Sequence, residues 1–227
     1  MTKTTMEQDV DQVCTLIERS MRDGERTIIG IAGPPASGKS TLAEAVVQSL
    51  NSGSRSSVAR ASLLPMDGYH LDNRLLESRG LLARKGAPET FDASGFCDAV
   101  GRLAEVNRET YHPKFDRHLD LAIANAIAIH PETPVVVVEG NYLLLDRAPW
   151  SSLRALFAAT VFVCPSMQAL RERLLQRWIK HGLEPDAALR KTIENDLPNA
   201  ELVARESHLA DLMLTQDYTE FGVRYAY

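Results

Sequence analysis

The chain has 227 residues, 25 of them basic and 30 acidic, with a formal net charge of −5. This length fits one α/β domain with a sizeable core and a small inserted lid, and it does not favour two domains. The acidic balance gives no reason to expect nucleic acid as a partner, and no apolar run approaches the ~18 residues typical of a membrane span. The N-terminal residues lack the apolar region of an export signal.

The three cysteines, Cys14, Cys97 and Cys164, are far apart and odd in number. Neither a disulfide framework nor a zinc site is predicted from that spacing. We therefore expect the protein to reside in a reducing cytoplasm.

The first predicted element is an amphipathic helix over residues 6–22. Val10, Val13 and Ile17 recur at helical spacing, and Asp23-Gly24 ends the pattern. We expect this helix to pack on an edge of the sheet.

Residues 33–41 read GPPASGKST and match G-x-x-x-x-G-K-[ST] in full. An apolar, β-branched stretch precedes this phosphate loop and a helical pattern follows it, so the backbone N–H groups of the loop and the helix N-terminus would stabilise a polyphosphate. Lys39 is expected to reach the β- and γ-phosphates of ATP, and Ser40 to ligate Mg²⁺. The alternative is a glycine turn without a ligand. The predicted nucleotide-binding residues are Gly33, Pro34, Pro35, Ala36, Ser37, Gly38, Lys39, Ser40 and Thr41.

Two later strands are predicted to end in a carboxylate. Residues 58–66 lead to Asp67-Gly68, and the apolar run 135–138 leads to Glu139-Gly140. Since ligands of open α/β sheets gather at the carboxyl ends of strands, both acids are expected beside the phosphate loop, where Glu139 suits a hydrated Mg²⁺. The alternatives are an ordinary Asp-Gly turn and a strand-end Glu in a turn.

The segment between these strands is predicted to hold a short helix and then a loop over 71–92, a packed helix over 93–106 and a polar, proline-interrupted loop over 107–120. The last loop concentrates aromatic and titratable side chains, and such loops more often bind than merely connect. Two further strands at 160–164 and 211–215 complete a mainly parallel, doubly wound, five-stranded α/β sheet with helices on both faces.

A helix over 167–181 carries a basic row at Arg173, Arg177 and Lys180 opposite an apolar face. In a phosphoryl-transfer enzyme such a row suits a lid that closes over the transferring phosphate. A solvated basic face would show the same pattern. Gly182 ends this helix, and another is predicted from 185 to 197.

The order of these motifs resembles that of the uridine kinase, phosphoribulokinase and bacterial pantothenate kinase group of P-loop kinases. Residues 65–70 (PMDGYH) look like the group's strand-end aspartate segment, and 139–143 (EGNYL) match its E-G-x-x-L motif. Residues 84–92 (RKGAPETFD) are similar to a pantothenate kinase segment, and 111–116 (YHPKFD) to an acceptor-binding stretch. Within the group, the likeness is greatest to stand-alone bacterial proteins labelled fructose transport system kinases or nucleoside/nucleotide kinase-like proteins.

The resemblance implies one P-loop kinase domain over 1–227, with an acceptor-binding region near 67–120 and a small helical lid near 166–197. The implied catalytic residues are Asp67, as base, with Lys39, Arg173 and Arg177. The implied acceptor-binding residues are Asp67, Tyr69, His70, Lys85, Tyr111, His112, Asp116 and Arg117. The implied metal ligands are Ser40, Asp67 and Glu139.

The implied activity is transfer of the γ-phosphoryl group of ATP to a primary hydroxyl of a small molecule, first a nucleoside or a sugar such as fructose, and otherwise pantothenate. No nucleic acid or membrane partner is expected, and a homodimer is left open. A regulatory NTPase without an acceptor and a degenerate ATP-binding scaffold are the other readings. The chain lacks the N-K-x-D motif of GTPases and the L-S-G-G-Q motif of ABC-type ATPases.

Overall fold

The structure is a computed structural model that describes residues 4–53 and 58–215. The helices are α1 (Thr5–Ser20), α2 (Lys39–Asn51), α3 (Asn73–Ser78), α4 (Ala93–Arg102), α5 (Met167–Lys180), α6 (Pro185–Lys191) and α7 (Leu197–Glu206). The strands are β1 (Thr27–Ala32), β2 (Ala61–Pro65), β3 (Thr110–Asp116), β4 (Leu121–Ile129), β5 (Val135–Gly140), β6 (Ala159–Val163) and β7 (Leu212–Leu214). Within the described ranges, no helix is both long enough and apolar enough to cross a membrane.

Five strands form one parallel sheet in the order β2-β5-β1-β6-β7. The predicted five-stranded, mainly parallel, doubly wound sheet is therefore confirmed. All residues of β1 and β5 are buried, because helices cover the sheet on both faces.

The two faces have separate apolar cores. On one face, α1 and α2 pack on alternate residues of β1 and β5, such as Ile29 and Val137. On the other face, α4, α7 and the segment 142–157 pack on Ile28, Val136 and their neighbours.

Helix α1 differs from its prediction in position and in bounds. It lies over β1 and β6 beside α2, so the expected packing on a sheet edge is wrong; its apolar face is continuous with the core around α2. The helix begins earlier than the apolar pattern indicates because Thr4 and Glu7 form a capping box.

The segment 107–120, predicted as a loop, instead contains β3 and leads into an antiparallel hairpin with β4. The prediction was wrong because Pro113 and the charged residues argue against a strand, and because alanine-rich β4 lacks the usual strand composition. The register accommodates Pro113 by a shift between His112 and Lys114. The hairpin packs closely on the turn after β2, since a Cβ atom added to Gly68 would lie 2.3 Å from the Pro113 carbonyl oxygen.

The predicted lid segment forms helices α5 and α6, followed by a π turn (Thr192–Asp196) that continues into α7. The predicted end at residue 197 is too early, since the helical path runs on to Glu206. In the π turn, the Trp178 indole N–H donates to Asp196, and Arg84 Nη1 donates to Asn195 Oδ1 at 2.9 Å. The first contact joins α5 to the π turn, and the second connects the lid segment to the loop after α3.

Arg26, just before β1, joins separate parts of the fold through backbone carbonyls. Its Nε donates to Thr133 O at 2.9 Å, and its Nη1 donates to Leu103 O at 2.9 Å. Its Nη2 donates to His130 O at 2.7 Å and to Pro131 O at 2.8 Å. One guanidinium therefore fastens the end of α4 and the β4–β5 connection to the start of β1.

We expect Arg26→Ala to lower the free energy of unfolding by roughly 2–3 kcal/mol, because charge-assisted hydrogen bonds are lost and buried carbonyl groups lose their partner. Urea unfolding followed by circular dichroism measures the change. Arg22→Ala is the matched control, since the Arg22 side chain is 81% exposed and pairs with Glu25 at 3.9 Å on the surface. Equal midpoints for the two variants would contradict the role assigned to Arg26.

Candidate active site

The phosphate loop curls tightly between β1 and α2. Gly33 has φ +156° and approaches the neighbouring strand β6 so closely that an added Cβ atom would lie 2.4 Å from the Val163 carbonyl oxygen. Gly38, at φ 96°, precedes α2 and supplies no side-chain cap to it. The Lys39 N–H donates to Ser37 Oγ at 3.4 Å, and the N–H groups of Ser40 and Thr41 are placed to bind an external anion, as in other phosphate-binding loops.

Lys39, Ser40 and Glu139 form a contact group at the start of α2 and the end of β5. Lys39 Nζ lies 3.5 Å from Glu139 Oε1, with side-chain exposures of 9% and 6%. Ser40 Oγ donates to the same carboxylate oxygen at 3.1 Å. Burial raises the pKa of Glu139; the charge of Lys39 opposes that rise, and the charge of Asp67 adds to it.

A hydroxyl and a carboxylate that already share a contact fit the ligand chemistry of Mg²⁺, which takes hard oxygen donors and few protein carboxylates. Ser40 and Glu139 are therefore suited to hold the metal. Lys39 stands beside them as the cation for the phosphates.

Asp67 lies at the same rim because three neighbouring strands end at one level. Ala32 of β1 pairs with Gly140, and Pro65 of β2 pairs with Glu139. The Asp67 carboxylate follows two residues after β2, and its Oδ2 accepts from Arg117 Nη2 at 3.1 Å. The hairpin thus supplies a cation directly to the predicted base.

The pKa of Asp67 is held below its usual range by its surroundings. Burial favours the protonated carboxyl, but the His70 imidazole and the cations Arg117, Lys39 and Arg177 outweigh that effect. Asp67 is consequently ionised at neutral pH.

Tyr69 and His112 form a hydrogen-bonded pair beneath the hairpin. Tyr69 OH and His112 Nδ1 are 3.1 Å apart, and His112 Nε2 lies 3.0 Å from Thr110 Oγ1. Burial raises the pKa of Tyr69 to about 12. Because both ring nitrogens of the buried His112 have protein partners, this pair is better suited to position the hairpin than to bind a ligand directly.

His70 packs between two aromatic rings. Its ring centroid lies 4.0 Å from that of Phe91 and 4.7 Å from that of Phe115, and its Nδ1 is 2.8 Å from the Asp67 carbonyl oxygen. The imidazole therefore fixes the backbone that carries Asp67.

Lys85, Asp116 and Tyr111 make contacts that stabilise the hairpin and its surroundings. Lys85 Nζ contacts Asn73 Oδ1 at 2.6 Å and Asp120 Oδ1 at 2.8 Å. The Asp116 carboxylate accepts from backbone N–H groups in the hairpin turn, and Tyr111, 58% exposed, donates to Glu109. None of the contacts described for these three side chains involves Asp67 or Glu139.

Two of the three arginines of α5, Arg173 and Arg177, face the site. Arg173 Nη1 donates to Ser37 O at 3.3 Å, so α5 touches the phosphate loop. Burial and the nearby charge of Arg117 lower the pKa of Arg177, whereas Asp67 and Asp196 oppose that shift. Arg177 therefore lies in the electric field of the site, whereas Lys180 of the same row is exposed.

The polar cluster at the π turn is a part of the site's surroundings that the sequence motifs do not predict. Asp196 is 8% exposed and Asn195 is 3% exposed, and burial raises the pKa of Asp196. A π turn shifts the helical phase, so periodicity assigns these residues to the wrong face. The one available signal is the run of polar residues in an otherwise amphipathic helix.

Comparison with known proteins identifies the family. Residues 28–214 match the model of the Phosphoribulokinase / Uridine kinase family. The chain belongs to that family. Membership makes it a P-loop kinase and implies phosphotransferase activity that uses ATP and usually Mg²⁺. The resemblance inferred from the motifs is confirmed.

Individual relatives carry different names. The chain is 30% identical over 203 residues to the "Putative uridine kinase" of Schizosaccharomyces pombe, and the match covers 86% of each chain. A pantothenate kinase of Leifsonia xyli is 37% identical over 139 residues, which is 60% of this chain and 42% of that protein. The solved structure of a "putative fructose transport system kinase" from Silicibacter sp. TM1040 has a TM-score of 0.81 at 40% identity, covering 90% of this chain and 98% of that one.

Replacing Arg117 by Met removes a cation that lowers the pKa of Asp67, so that pKa should rise. The carboxylate then becomes ionised only at higher pH, and the acid limb of kcat/KM for phosphoryl transfer should move to higher pH. Lys114→Met, an exposed change in the same hairpin, is the control and should leave the limb in place. An unmoved limb in the Arg117 variant would show that the ion pair does not set the ionisation of Asp67.

Proposed function

We propose that the protein transfers the γ-phosphoryl group of ATP to a primary hydroxyl of a small polar metabolite, first a nucleoside or a sugar such as fructose. The observation that carries the proposal is the position of Asp67. An ionised carboxylate stands at the end of β2, level with the phosphate loop and within the field of Lys39. In a nucleotide switch a strand-end carboxylate holds the metal. In this proposal Glu139 has that role, which leaves Asp67 for the proton of an acceptor hydroxyl.

In this mechanism the phosphate loop and Lys39 bind the β- and γ-phosphates, while Asp67 accepts the proton of the attacking hydroxyl. Phosphoryl transfer passes through a loose transition state, so positioning and charge stabilisation are the main tasks of the protein. Mg²⁺, held by Ser40 and Glu139 with Asp67 nearby, would neutralise charge on the phosphates when bound. Arg173 and Arg177 stabilise the transferring group from the side of α5.

The ion pair between Arg117 and Asp67 suggests how the acceptor is oriented. Arg117 engages only Oδ2 of the carboxylate. The other oxygen is the one suited to the acceptor hydroxyl, with the guanidinium beside it to contact a neighbouring polar group of the acceptor. His70 fixes the backbone that carries Asp67, and the pair of Tyr69 and His112 positions the hairpin that carries Arg117.

The choice of acceptor follows the names of relatives, because no residue of the site selects among them. One relative is named as a uridine kinase and one solved structure as a fructose transport kinase. Pantothenate is the alternative, supported by the similarity of residues 84–92 and by a pantothenate kinase relative. The three dispersed cysteines favour a cytoplasmic location for this activity.

The deciding experiment measures ADP release with nucleosides, fructose and pantothenate supplied one at a time. We expect one of these compounds to stimulate turnover, and phosphate transfer to its hydroxymethyl group can be confirmed by mass spectrometry. Turnover that is the same with and without every acceptor would instead support a regulatory NTPase.

Asp67→Asn should reduce phosphoryl transfer by about 1000-fold or more while leaving nucleotide affinity nearly unchanged, because only proton acceptance and metal contact are lost. Asp98→Asn changes an exposed carboxylate of α4 in the same way and should behave like the wild type. Kinetics and calorimetry of nucleotide binding separate the two effects. If Asp67→Asn turns over normally, Asp67 is not the base.

Lys39→Ala should cost more than about 1000-fold in rate, since it removes the cation that stabilises charge on the transferring phosphate. Single-turnover measurements at saturating ATP distinguish a loss of rate from a loss of affinity. Lys180→Ala, on the exposed side of α5, provides the comparison. A similar rate for the two variants would remove Lys39 from the mechanism.

A further inference from the structure

Strand β4 presents an unprotected edge. It runs for nine residues, Leu121–Ile129, and among the residues that the structure describes it pairs only with β3. Its sequence is LAIANAIAI, without a charged residue or a proline. Natural proteins usually guard a free edge with lysine, proline or a covering element, because the unpaired N–H and C=O groups pair readily with another strand.

The surface around this edge is apolar and accessible. Residues 121–126 are all exposed, with exposed fractions of 41% for both Leu121 and Ile123, and Leu119 in the adjoining turn is 62% exposed. A two-stranded hairpin is marginally stable in water unless further strands or a packed face support it. The hairpin already packs on the 66–69 turn and, through Ile127 and Ile129, on the apolar core, and a third strand on the β4 edge would add to that support.

The sequence of β4 identifies what that strand can be. It reads the same from either end about Asn125, except that Leu121 corresponds to Ile129. If two copies of β4 lie antiparallel with Asn125 on the axis, Ile123 of one copy faces Ile127 of the other, and alanine faces alanine. Such self-complementarity is what a two-fold symmetric interface requires.

We propose that the protein forms a homodimer in which the β4 strands of two copies pair antiparallel about a two-fold axis at Asn125. The two hairpins then make one continuous four-stranded sheet. This dimer goes beyond the proposed kinase function and does not depend on it.

Polar side chains at the ends of the strand agree with this arrangement. Asp120 precedes β4 and His130 follows it, and both residues are exposed. The Asp120 carboxylate also pairs with Lys85 at 2.8 Å, and His130 Nδ1 accepts from the Glu132 N–H at 3.2 Å, which leaves Nε2 to donate to a carboxylate. Antiparallel pairing brings the acidic end of one strand to the histidine end of the other at each side of the interface. A parallel arrangement would place like groups together.

The centre of the strand limits how far the pairing extends. Asn125 has φ +56°, and the ladder with β3 is irregular opposite Pro113. Ile129 is fully buried within its own chain, so pairing stops before it. The interface therefore consists of two short ladders, 122–123 against 127–128 and its symmetry mate, on either side of the paired Asn125 residues. The side-chain amides can donate to and accept from each other across the axis.

Sedimentation analysis of the full chain over a range of concentrations tests the dimer. The expected particle has twice the chain mass of 25.1 kDa. Ile123→Lys should raise the dissociation constant at least about tenfold, because each copy brings a charge to the pairing edge. Val106→Lys, at an apolar residue that is 46% exposed outside the hairpin, is the matched control and should not change it. A monomer at every concentration, or a dimer indifferent to Ile123→Lys, overturns the proposal.

A cross-linking experiment covers the case in which Ile123→Lys does not fold. Asn125→Cys places one cysteine on the axis, where Cα atoms of antiparallel partners are about 4.5–5.5 Å apart and within disulfide reach. Mild oxidation should convert this variant to a covalent dimer. The wild type, with Cys14, Cys97 and Cys164 only, should stay uncross-linked under the same conditions. Equal cross-linking of the two proteins would place any dimer contact elsewhere.

Discussion

The buried ion pair between Lys39 and Glu139 is the interaction on which the site depends. The two side chains are almost fully removed from water, and such a pair contributes little net stability because desolvation offsets the attraction. The pair is better explained by function. In the proposed mechanism each member exchanges its partner for a ligand: the ammonium for phosphate oxygens and the carboxylate for a metal ion.

Close backbone packing makes that arrangement rigid. Gly140 follows Glu139, and a Cβ atom there would lie 2.5 Å from the Cβ atom of Met66. Gly68 follows Asp67 and touches the hairpin with similar tightness. Asp67 and Glu139 are thus each followed by a glycine whose backbone packs closely on a neighbouring segment. This packing holds the two carboxylates at a fixed separation. Preorganised charges of this kind need little rearrangement when charge develops during reaction.

The sequence predicted the parallel sheet, the position of Lys39 at the start of α2 and the strand-end positions of Asp67 and Glu139, because apolar runs and a phosphate loop have strong local signatures. The β3–β4 hairpin was missed, since its stability comes from packing on the 66–69 turn and from cross-strand contacts that periodicity does not record. The positions of Lys85 and Asp116 could not be predicted either. Their partners, Asp120 and the hairpin turn, exist only once that hairpin has formed.

The π turn was beyond prediction for a different reason. Its extra residue changes which side chains face inward, and its one sequence signal, a run of polar residues in an amphipathic helix, is not specific to a π turn. As a result, the sequence motifs predicted Asp67 and His112 as residues of the site but did not predict Asn195 and Asp196.

The position of the two tryptophans gives the protein a built-in optical signal. Trp150 is 2% exposed in the apolar core, where its surroundings are fixed. The Trp178 indole is bound to Asp196 and lies 4.0 Å from the Lys191 ammonium, next to Arg177. Fluorescence from Trp178 is therefore expected to respond to charge and displacement in α5 against a constant background from Trp150, so the predicted closure of this segment over a nucleotide can be followed without any added dye.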